Sequence, residues 1–148
     1  MDKKILSKSV EETIEIGKEI GRKLKGGEVV CLIGPLGSGK THLIKGIAAG
    51  AGAKDAHQVN SPTFVLINEY SGRLEIFHID AYRIESIEEF ERLGVYDLIG
   101  PGSIVLIEWA DKVEAALRGI DCIKIKLAHI GADERQIHII NMNDTKSS

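Results

Sequence analysis

One segment constrains the fold more than any other, the run Gly34-Pro-Leu-Gly-Ser-Gly-Lys40-Thr41. It matches the phosphate-binding pattern G-x-x-x-x-G-K-[ST] at every required position. The pattern predicts a continuously apolar strand over 28–33 before this loop and a helix from Lys40 to about Ala49 after it. The motif requires this strand–loop–helix context, so the sequence predicts that the chain binds a nucleoside triphosphate.

Each residue type in the loop has a physical task. Glycines let the backbone wrap a phosphate group with its N–H groups pointing inward, and the helix that follows presents its positive end to the same anion. Lys40 is expected against the β- and γ-phosphates, and the Thr41 hydroxyl is expected to ligate Mg²⁺. The predicted nucleotide-binding residues are Gly34, Gly37, Ser38, Gly39, Lys40 and Thr41.

A phosphate loop needs an acid on a neighbouring strand to hold the metal ion. Glu108 ends the apolar run 104–107, which has the form of a Walker B strand, and is predicted to ligate Mg²⁺. Asp80 ends a second strand-like run and competes for the same role. The two acids can divide metal ligation and orientation of the attacking water, and spacing leaves that division open. Together with Lys40 they form the predicted catalytic set.

Three further residues are candidates for switch or partner roles. Thr63 lies in the segment Ser61-Pro-Thr-Phe64, which fits a loop that senses the γ-phosphate or a proline turn that enters a strand. Trp109, the only tryptophan, follows the predicted metal ligand and fits either the core or the site. His78 shares a strand face with Asp80 and, taken alone, fits a packed histidine better than a catalytic one.

The rest of the chain fits an α/β fold. We predict a P-loop NTPase whose central, mostly parallel sheet is flanked by helices and carries an antiparallel hairpin insertion. Residues 1–140 are expected to form one domain and 141–148 a frayed polar tail. The remaining predicted elements are helices over Ser9–Leu24, from Ser86 and over 111–117, and hairpins that join Phe64–Tyr70 to Leu74–Asp80 and Asp121–Ala128 to Arg135–Ile140.

Composition excludes several classes of protein. The chain has 148 residues, of which 43% are hydrophobic, and a net charge of −3, so it can bury one core. This balance argues against disorder and against a strongly basic nucleic-acid surface. Cys31 and Cys122 fall in apolar runs and are predicted to be free thiols. No apolar run is long enough for a signal peptide or a membrane span, which predicts a cytoplasmic protein.

These motifs together resemble the TsaE family, also called YjeE, over nearly the whole chain. The resemblance rests on their order and spacing, because the phosphate loop alone is generic. The matching segments are Glu12-Thr13…Gly17, GPLGSGKT at 34–41, Ser61-Pro-Thr-Phe64, His78-Ile-Asp80-Ala-Tyr82-Arg83, Glu89 to Gly94 and Ile107-Glu108-Trp109.

The resemblance implies a small bacterial ATPase needed for the threonylcarbamoyl modification of adenosine in tRNA. It implies ATP and Mg²⁺ as ligands and Asp80 as a residue needed for hydrolysis. It also implies docking on a heterodimer of the transferase subunit and its partner (TsaD and TsaB type), with tRNA reached only through that complex. Thr63 would belong to a switch loop and Trp109 to the surface around the nucleotide, and Arg135 is a weaker match near the nucleotide.

Two other functions fit the loop. A small-molecule or nucleoside kinase would need an arginine-bearing lid, whereas the arginines after the first hairpin are scattered. A nucleotide switch would bind and release a partner with negligible turnover. A GTPase is disfavoured because no N-K-x-D motif occurs, and the D-x-x-G match at Asp97–Gly100 has no apolar strand before it.

Overall fold

The computed structural model describes residues 2–35, 38–54 and 67–140. Every strand in these ranges joins a single sheet, in the order β1-β7-β6-β2-β5-β4-β3. The strands are β1 (Lys3–Ser7), β2 (Val29–Ile33), β3 (Ile67–Ser71), β4 (Glu75–Asp80), β5 (Ser103–Glu108), β6 (Cys122–His129) and β7 (Arg135–Ile140). The predicted tail over 141–148 lies outside the described residues and stays a prediction.

Four neighbouring strands in the middle of the sheet, β6, β2, β5 and β4, run parallel. All six residues of β5 and four of the five in β2 are buried. Strands covered on both faces read as uninterrupted apolar runs, which is why the sequence revealed these two. The predicted strands over 28–33 and 104–107 are confirmed, with β2 beginning at Val29 and β5 at Ser103.

Antiparallel pairs extend the sheet at both ends. β3 pairs with β4, and β7 pairs with β6, so both predicted hairpins are confirmed over the described residues. The predicted beginning of the first hairpin, residues 64–66, lies outside them. β1 pairs with β7 and was not predicted, because its five residues begin with exposed Lys3 and Lys4 and give little apolar signal. The predicted fold class is confirmed.

Helices cover both faces of the sheet. The helices α1 and α2 pack on one face, and three shorter helices pack on the other. Their bounds are α1 (Val10–Lys23), α2 (Lys40–Gly50), α3 (Ile87–Arg92), α4 (Val95–Leu98) and a 3₁₀ helix (Ala110–Leu117). No helix among the described residues is both long and apolar enough to cross a membrane.

Two of the helices begin where the sequence predicted a capping box. The Ser9 hydroxyl accepts from the Glu12 N–H at 3.1 Å, and the Ser86 hydroxyl accepts from the Glu89 N–H at 3.1 Å. The predicted helix over 111–117 is a 3₁₀ helix instead, and it is interrupted at Val113, where φ is −121°. A run of seven residues does not distinguish the tighter helix from an α-helix by apolar spacing.

The contact between α1 and α2 depends on glycine. A Cβ atom at Gly46 would lie 2.1 Å from the Ile14 carbonyl oxygen, and one at Gly17 would lie 2.4 Å from the Leu43 carbonyl oxygen. The two backbones are therefore closer than any side chain allows. This contact fixes the position of α2, whose first residue is Lys40.

Both cysteines are free, as predicted. Cys31 on β2 is buried and Cys122 on β6 is half-buried. A hydrogen bond with the Cys122 side chain and burial both raise the pKa of the Cys31 thiol, so it is an unreactive thiol.

Candidate nucleotide-binding site

The sheet brings the predicted residues to one edge. Parallel strands end at the same side, so the loop after β2 and the last residues of β4 and β5 meet there. Asp80 is the register partner of Glu108, and Glu108 is the register partner of Leu32 just before the loop. Asp97 lies on α4, which precedes the amino end of β5, so the D-x-x-G match is at the opposite end of that strand.

The loop between β2 and α2 is closely packed at its first glycine. A Cβ atom at Gly34 would lie 2.7 Å from the Ser38 hydroxyl oxygen and 2.8 Å from the Leu127 carbonyl oxygen. Gly39 caps α2 in the left-handed region, with φ of 98°, and α2 has no side-chain cap. The positive end of α2 therefore faces the loop without a side-chain cap, as in helix termini that bind anions. Gly37 lies outside the described residues.

The Ser38 hydroxyl supplies an independent indication of a ligand. Its oxygen is buried and has no hydrogen-bond partner among the described residues. Buried hydroxyls are normally satisfied, so an unpartnered one just before the first turn of α2 fits an oxyanion such as phosphate.

Lys40 is a buried cation directed at the loop. Its side chain is only 6% exposed, and its ammonium donates to the carbonyl oxygens of Gly34 and Pro35, the latter at 2.9 Å. Burial lowers its pKa, and the carboxylates of Glu108, Asp111 and Asp80 oppose that shift. The acids therefore help to keep a positive charge where the phosphates are expected.

Glu108 is held by a histidine. Its Oε2 atom lies 2.6 Å from His78 Nε2, and both side chains are almost completely buried. His78 Nδ1 lies 3.1 Å from the Tyr70 hydroxyl. His78 has no exposed surface, so the predicted partner role cannot rest on direct contact, and its switch role stays a prediction. His78 is a packed histidine, as its strand position indicated, and it packs against the predicted metal ligand Glu108.

Asp80 lies beside Glu108 with a different environment. Burial raises the pKa of its carboxyl group, and the hydrogen bond that its Oδ1 accepts from the Tyr82 N–H at 3.0 Å opposes this. The charge of Glu108 adds to the rise. A carboxyl group with a raised pKa at the edge of a polar cavity is suited to accept a proton from water.

An aromatic wall closes one side of the site. Trp109 lies with its ring centroid 4.1 Å from the Lys40 ammonium, and the Tyr82 ring packs on it at 4.9 Å. The ammonium of Lys112 lies 5.2 Å from the Tyr82 ring. Trp109 is the one non-glycine residue with positive φ (60°) in the described ranges. This conformation turns the chain immediately after Glu108 and places the indole over Lys40.

These groups surround one cavity of about 290 Å³. It brings together most of the predicted site residues: Ser38, Gly39, Lys40, Thr41, Asp80, Glu108 and Trp109. Arg135 also lines it from β7. Tyr82 and His42 line it without having been predicted as site residues, although Tyr82 follows Asp80 by two residues. Thr63 lies outside the described residues, so its switch role stays a prediction.

The donor set fits Mg²⁺ only if a nucleotide supplies part of the shell. Within the described residues, no group of three or more His, Cys, Asp or Glu side chains could hold a metal ion. Mg²⁺ commonly takes one or two protein oxygens and completes its shell with phosphate and water. Thr41 and Glu108, which line the same cavity, offer such oxygens.

Comparison with known proteins agrees with this geometry. The sequence profile described as "Threonylcarbamoyl adenosine biosynthesis protein TsaE" matches residues 7–137. Several similar proteins carry the name tRNA threonylcarbamoyladenosine biosynthesis protein TsaE. The one from Bacillus subtilis (strain 168) is 41% identical over 86% of this chain and 78% of its own length. The one from Nostoc sp. is 37% identical over 97% of this chain and 89% of its own.

A solved structure is similar as well. The structure described as "Crystal structure of Bacillus subtilus YdiB" superposes with a TM-score of 0.70 at 31% identity, covering 94% of this chain and 84% of that one. The sheet, the loop and the edge described above define a P-loop NTPase fold. Within that class the chain belongs to the TsaE family, whose proteins take part in the biosynthesis of threonylcarbamoyladenosine in tRNA.

Proposed function

We propose that this protein binds ATP with Mg²⁺, hydrolyses it, and thereby supports threonylcarbamoylation of adenosine in tRNA by docking on the transferase heterodimer of TsaD and TsaB type in the cytoplasm. The observation that carries the proposal is the convergence of Lys40, Asp80 and Glu108 on one cavity beside the phosphate loop. Family membership supports the tRNA pathway. The hydrolysis and the docking are our inference.

The residues divide the work as follows. Lys40 and the first-turn amides of α2 bind the phosphates and offset their negative charge. Thr41 and Glu108 would hold Mg²⁺, which supplies charge neutralisation at the β- and γ-phosphates when bound. Asp80 orients a water molecule whose oxygen forms a bond to the γ-phosphorus while the bond to the bridging oxygen breaks. Asp80 accepts the proton, and ADP and inorganic phosphate leave.

The kinase alternative has little support in the site. Among the described arginines, only Arg135 lines the cavity, and it comes from a strand rather than a lid. Phosphoryl transfer to a metabolite would need a second pocket beside the γ-phosphate, with groups to bind the acceptor. A nucleotide switch without turnover would use the same cavity, so an experiment must distinguish it from an ATPase.

A reconstituted modification assay tests the proposal. Purified protein is added to a TsaD–TsaB-type heterodimer with tRNA, threonylcarbamoyl donor and ATP, and multi-turnover product and phosphate release are measured together. We expect both to rise with the wild-type protein and neither to rise with Lys40→Ala. Product without phosphate release would indicate a nucleotide switch. Failure to bind the heterodimer or to raise turnover would contradict the proposed function.

A further inference from the structure

Three side chains form a hydrogen-bonded chain across neighbouring strands, in which His78 and Glu108 are buried and Tyr70 is half-buried. Tyr70 on β3, His78 on β4 and Glu108 on β5 occupy diagonal register positions on one face of the sheet. The Tyr70 hydroxyl lies 3.1 Å from His78 Nδ1, and His78 Nε2 lies 2.6 Å from Glu108 Oε2. The proposed metal ligand is thus connected to a hydroxyl two strands away.

The donors and acceptors of these three side chains match one another when the imidazole of His78 is neutral. A carboxylate only accepts, so His78 Nε2 carries a proton and donates to Glu108. In a neutral imidazole Nδ1 then accepts, and the Tyr70 O–H is the donor that it meets. Tyr70 therefore selects the tautomer that serves Glu108.

The cost of this arrangement indicates a purpose beyond filling space. His78 is completely buried in a face whose neighbouring positions are apolar, such as Ile76 and Leu106. An aliphatic side chain would fill this position without desolvating an imidazole. The imidazole provides a fixed hydrogen bond to one oxygen of Glu108, which an aliphatic side chain cannot provide.

We propose that His78 and Tyr70 are positioning residues that fix the carboxylate of Glu108 for Mg²⁺ binding in the nucleotide complex. This rests on the proposed function, since it assumes that Glu108 ligates the metal ion. Partners that orient a ligand from behind typically change metal affinity or activity 10–100-fold when removed. Neither residue lines the candidate nucleotide cavity.

The first test measures metal affinity without hydrolysis. Mn²⁺ replaces Mg²⁺, a non-hydrolysable ATP analogue replaces ATP, and the bound metal is counted by electron paramagnetic resonance. We expect His78→Leu to weaken Mn²⁺ binding about 10–100-fold and Tyr70→Phe several-fold. His78→Gln, whose amide N–H can still reach Glu108, should restore part of the loss. Metal-free affinity for the analogue should stay within about twofold.

A matched substitution controls for the loss of a hydroxyl. Tyr96 also donates its hydroxyl to a buried partner, the Ala116 carbonyl oxygen, but lies outside the cavity. Tyr96→Phe should therefore leave Mn²⁺ affinity unchanged. Equal effects of Tyr70→Phe and Tyr96→Phe would overturn the proposal. If His78→Leu does not fold, the tyrosine pair and His78→Gln still decide the question.

The second test is spectroscopic and needs no nucleotide. Nitrogen-15 chemical shifts of the His78 imidazole should show the Nε2–H tautomer in the wild type and a marked change in Tyr70→Phe. An Nδ1–H tautomer, or nitrogen-15 chemical shifts that are the same in the wild type and in Tyr70→Phe, would contradict the arrangement. If the wild type never hydrolyses ATP but binds Mn²⁺ with the analogue, and His78→Leu weakens that binding as expected, the proposed hydrolysis fails and the positioning role stands. If it hydrolyses ATP while His78→Leu keeps full Mn²⁺ affinity, the positioning role fails alone.

Discussion

Two regions of the molecule are ordered by opposite means. One is the contact between α1 and α2, and the other is the carboxyl edge of the sheet. The helices meet through backbone atoms at Gly17 and Gly46, with a cluster of buried apolar side chains around them. The edge buries Lys40, Asp80 and Glu108, whose charges carry a desolvation cost that close packing does not offset. The proposed functional groups therefore lie where burial is least favourable.

The helix α2 belongs to both regions, and that connection explains how they cooperate. Its middle is fixed against α1 by glycine, and its first turn presents Lys40 to the loop. A small displacement of α2 would move the ammonium relative to the phosphates. Rigid packing in the first region therefore sets the geometry of the second.

The largest expected effect comes from filling the helix contact. Gly46→Ala places a methyl group 2.1 Å from the Ile14 carbonyl oxygen, so the helices must separate. We expect the free energy of unfolding to fall by about 2–4 kcal/mol, despite the better helix propensity of alanine. Thermal denaturation followed by circular dichroism measures the loss. Gly102→Ala is the control, because its methyl group meets no heavy atom within 4 Å. Similar losses of stability in both variants would show that the close contact between α1 and α2 does not stabilise the fold.

The next effect is on nucleotide binding without loss of fold. Lys40→Ala removes the one ammonium among the described residues that donates to the loop, and we expect ATP affinity to fall roughly 100-fold or more, equivalent to ~2.7 kcal/mol. Calorimetric titration gives the affinity. Lys45→Ala, a change of the same type on the same helix but outside the cavity, should bind ATP as the wild type does. A Lys40→Ala protein with unchanged affinity would contradict the assignment of the loop.

A smaller effect is expected from the aromatic wall. Tyr82→Ala removes the ring that packs on Trp109, and Trp109 in turn contacts Lys40. We expect ATP affinity to fall about three- to tenfold, in line with ~1 kcal/mol for an aromatic pair. Tyr96→Ala is matched in exposure, at 43% against 45%, and lies away from the cavity. Equal changes in affinity for both variants would show that the wall does not order the site.

The smallest effect is a gain in stability at the edge. The pKa of Asp80 is raised in the folded protein, so the folded state binds this proton more tightly than the unfolded state does. Stability therefore falls as pH rises from the ordinary aspartate range through the raised pKa. Asp80→Asn removes that dependence and should raise the melting temperature at neutral pH by about 1–3 °C.

The control for this gain is an exposed acid. Asp121→Asn changes the same functional group at an exposed position and should leave the melting curve nearly unchanged. A melting temperature of Asp80→Asn below that of the wild type across the pH range would mean that the Asp80 carboxylate stabilises the fold.

Local pattern was enough to predict most of the fold. The strands β2 and β5 appear as apolar runs because both their faces are covered, and Ser9 and Ser86 indicate helix starts through their own side chains. Edge strand β1 was missed, because pairing with β7 is a long-range contact that five residues with two lysines do not show. The 3₁₀ geometry after Trp109 depends on a backbone turn that residue types do not specify.

The candidate site shows the same difference between local sequence pattern and long-range strand pairing. Lys40, Asp80 and Glu108 were predicted because a sequence motif or a strand end marks each of them. The contact of His78 with Glu108 was not predicted, because it joins residues 30 positions apart through the parallel pairing of β4 and β5. Tyr70, in the preceding strand, carried no signal of its own. Sequence spacing finds residues that act from one loop, whereas the partners behind them become visible only when the strands are paired.

Phosphate release by Glu108→Gln is the most direct test of the claim that the carboxyl edge of the sheet hydrolyses ATP. Glutamine keeps the size of the side chain and removes the charge proposed to hold Mg²⁺. Binding and steady-state hydrolysis are measured on the same preparations, with and without the transferase heterodimer. We predict ATP affinity within about threefold of the wild type and phosphate release reduced about 100-fold. Hydrolysis by Glu108→Gln at the wild-type rate, or none by the wild type above Lys40→Ala, would contradict the account.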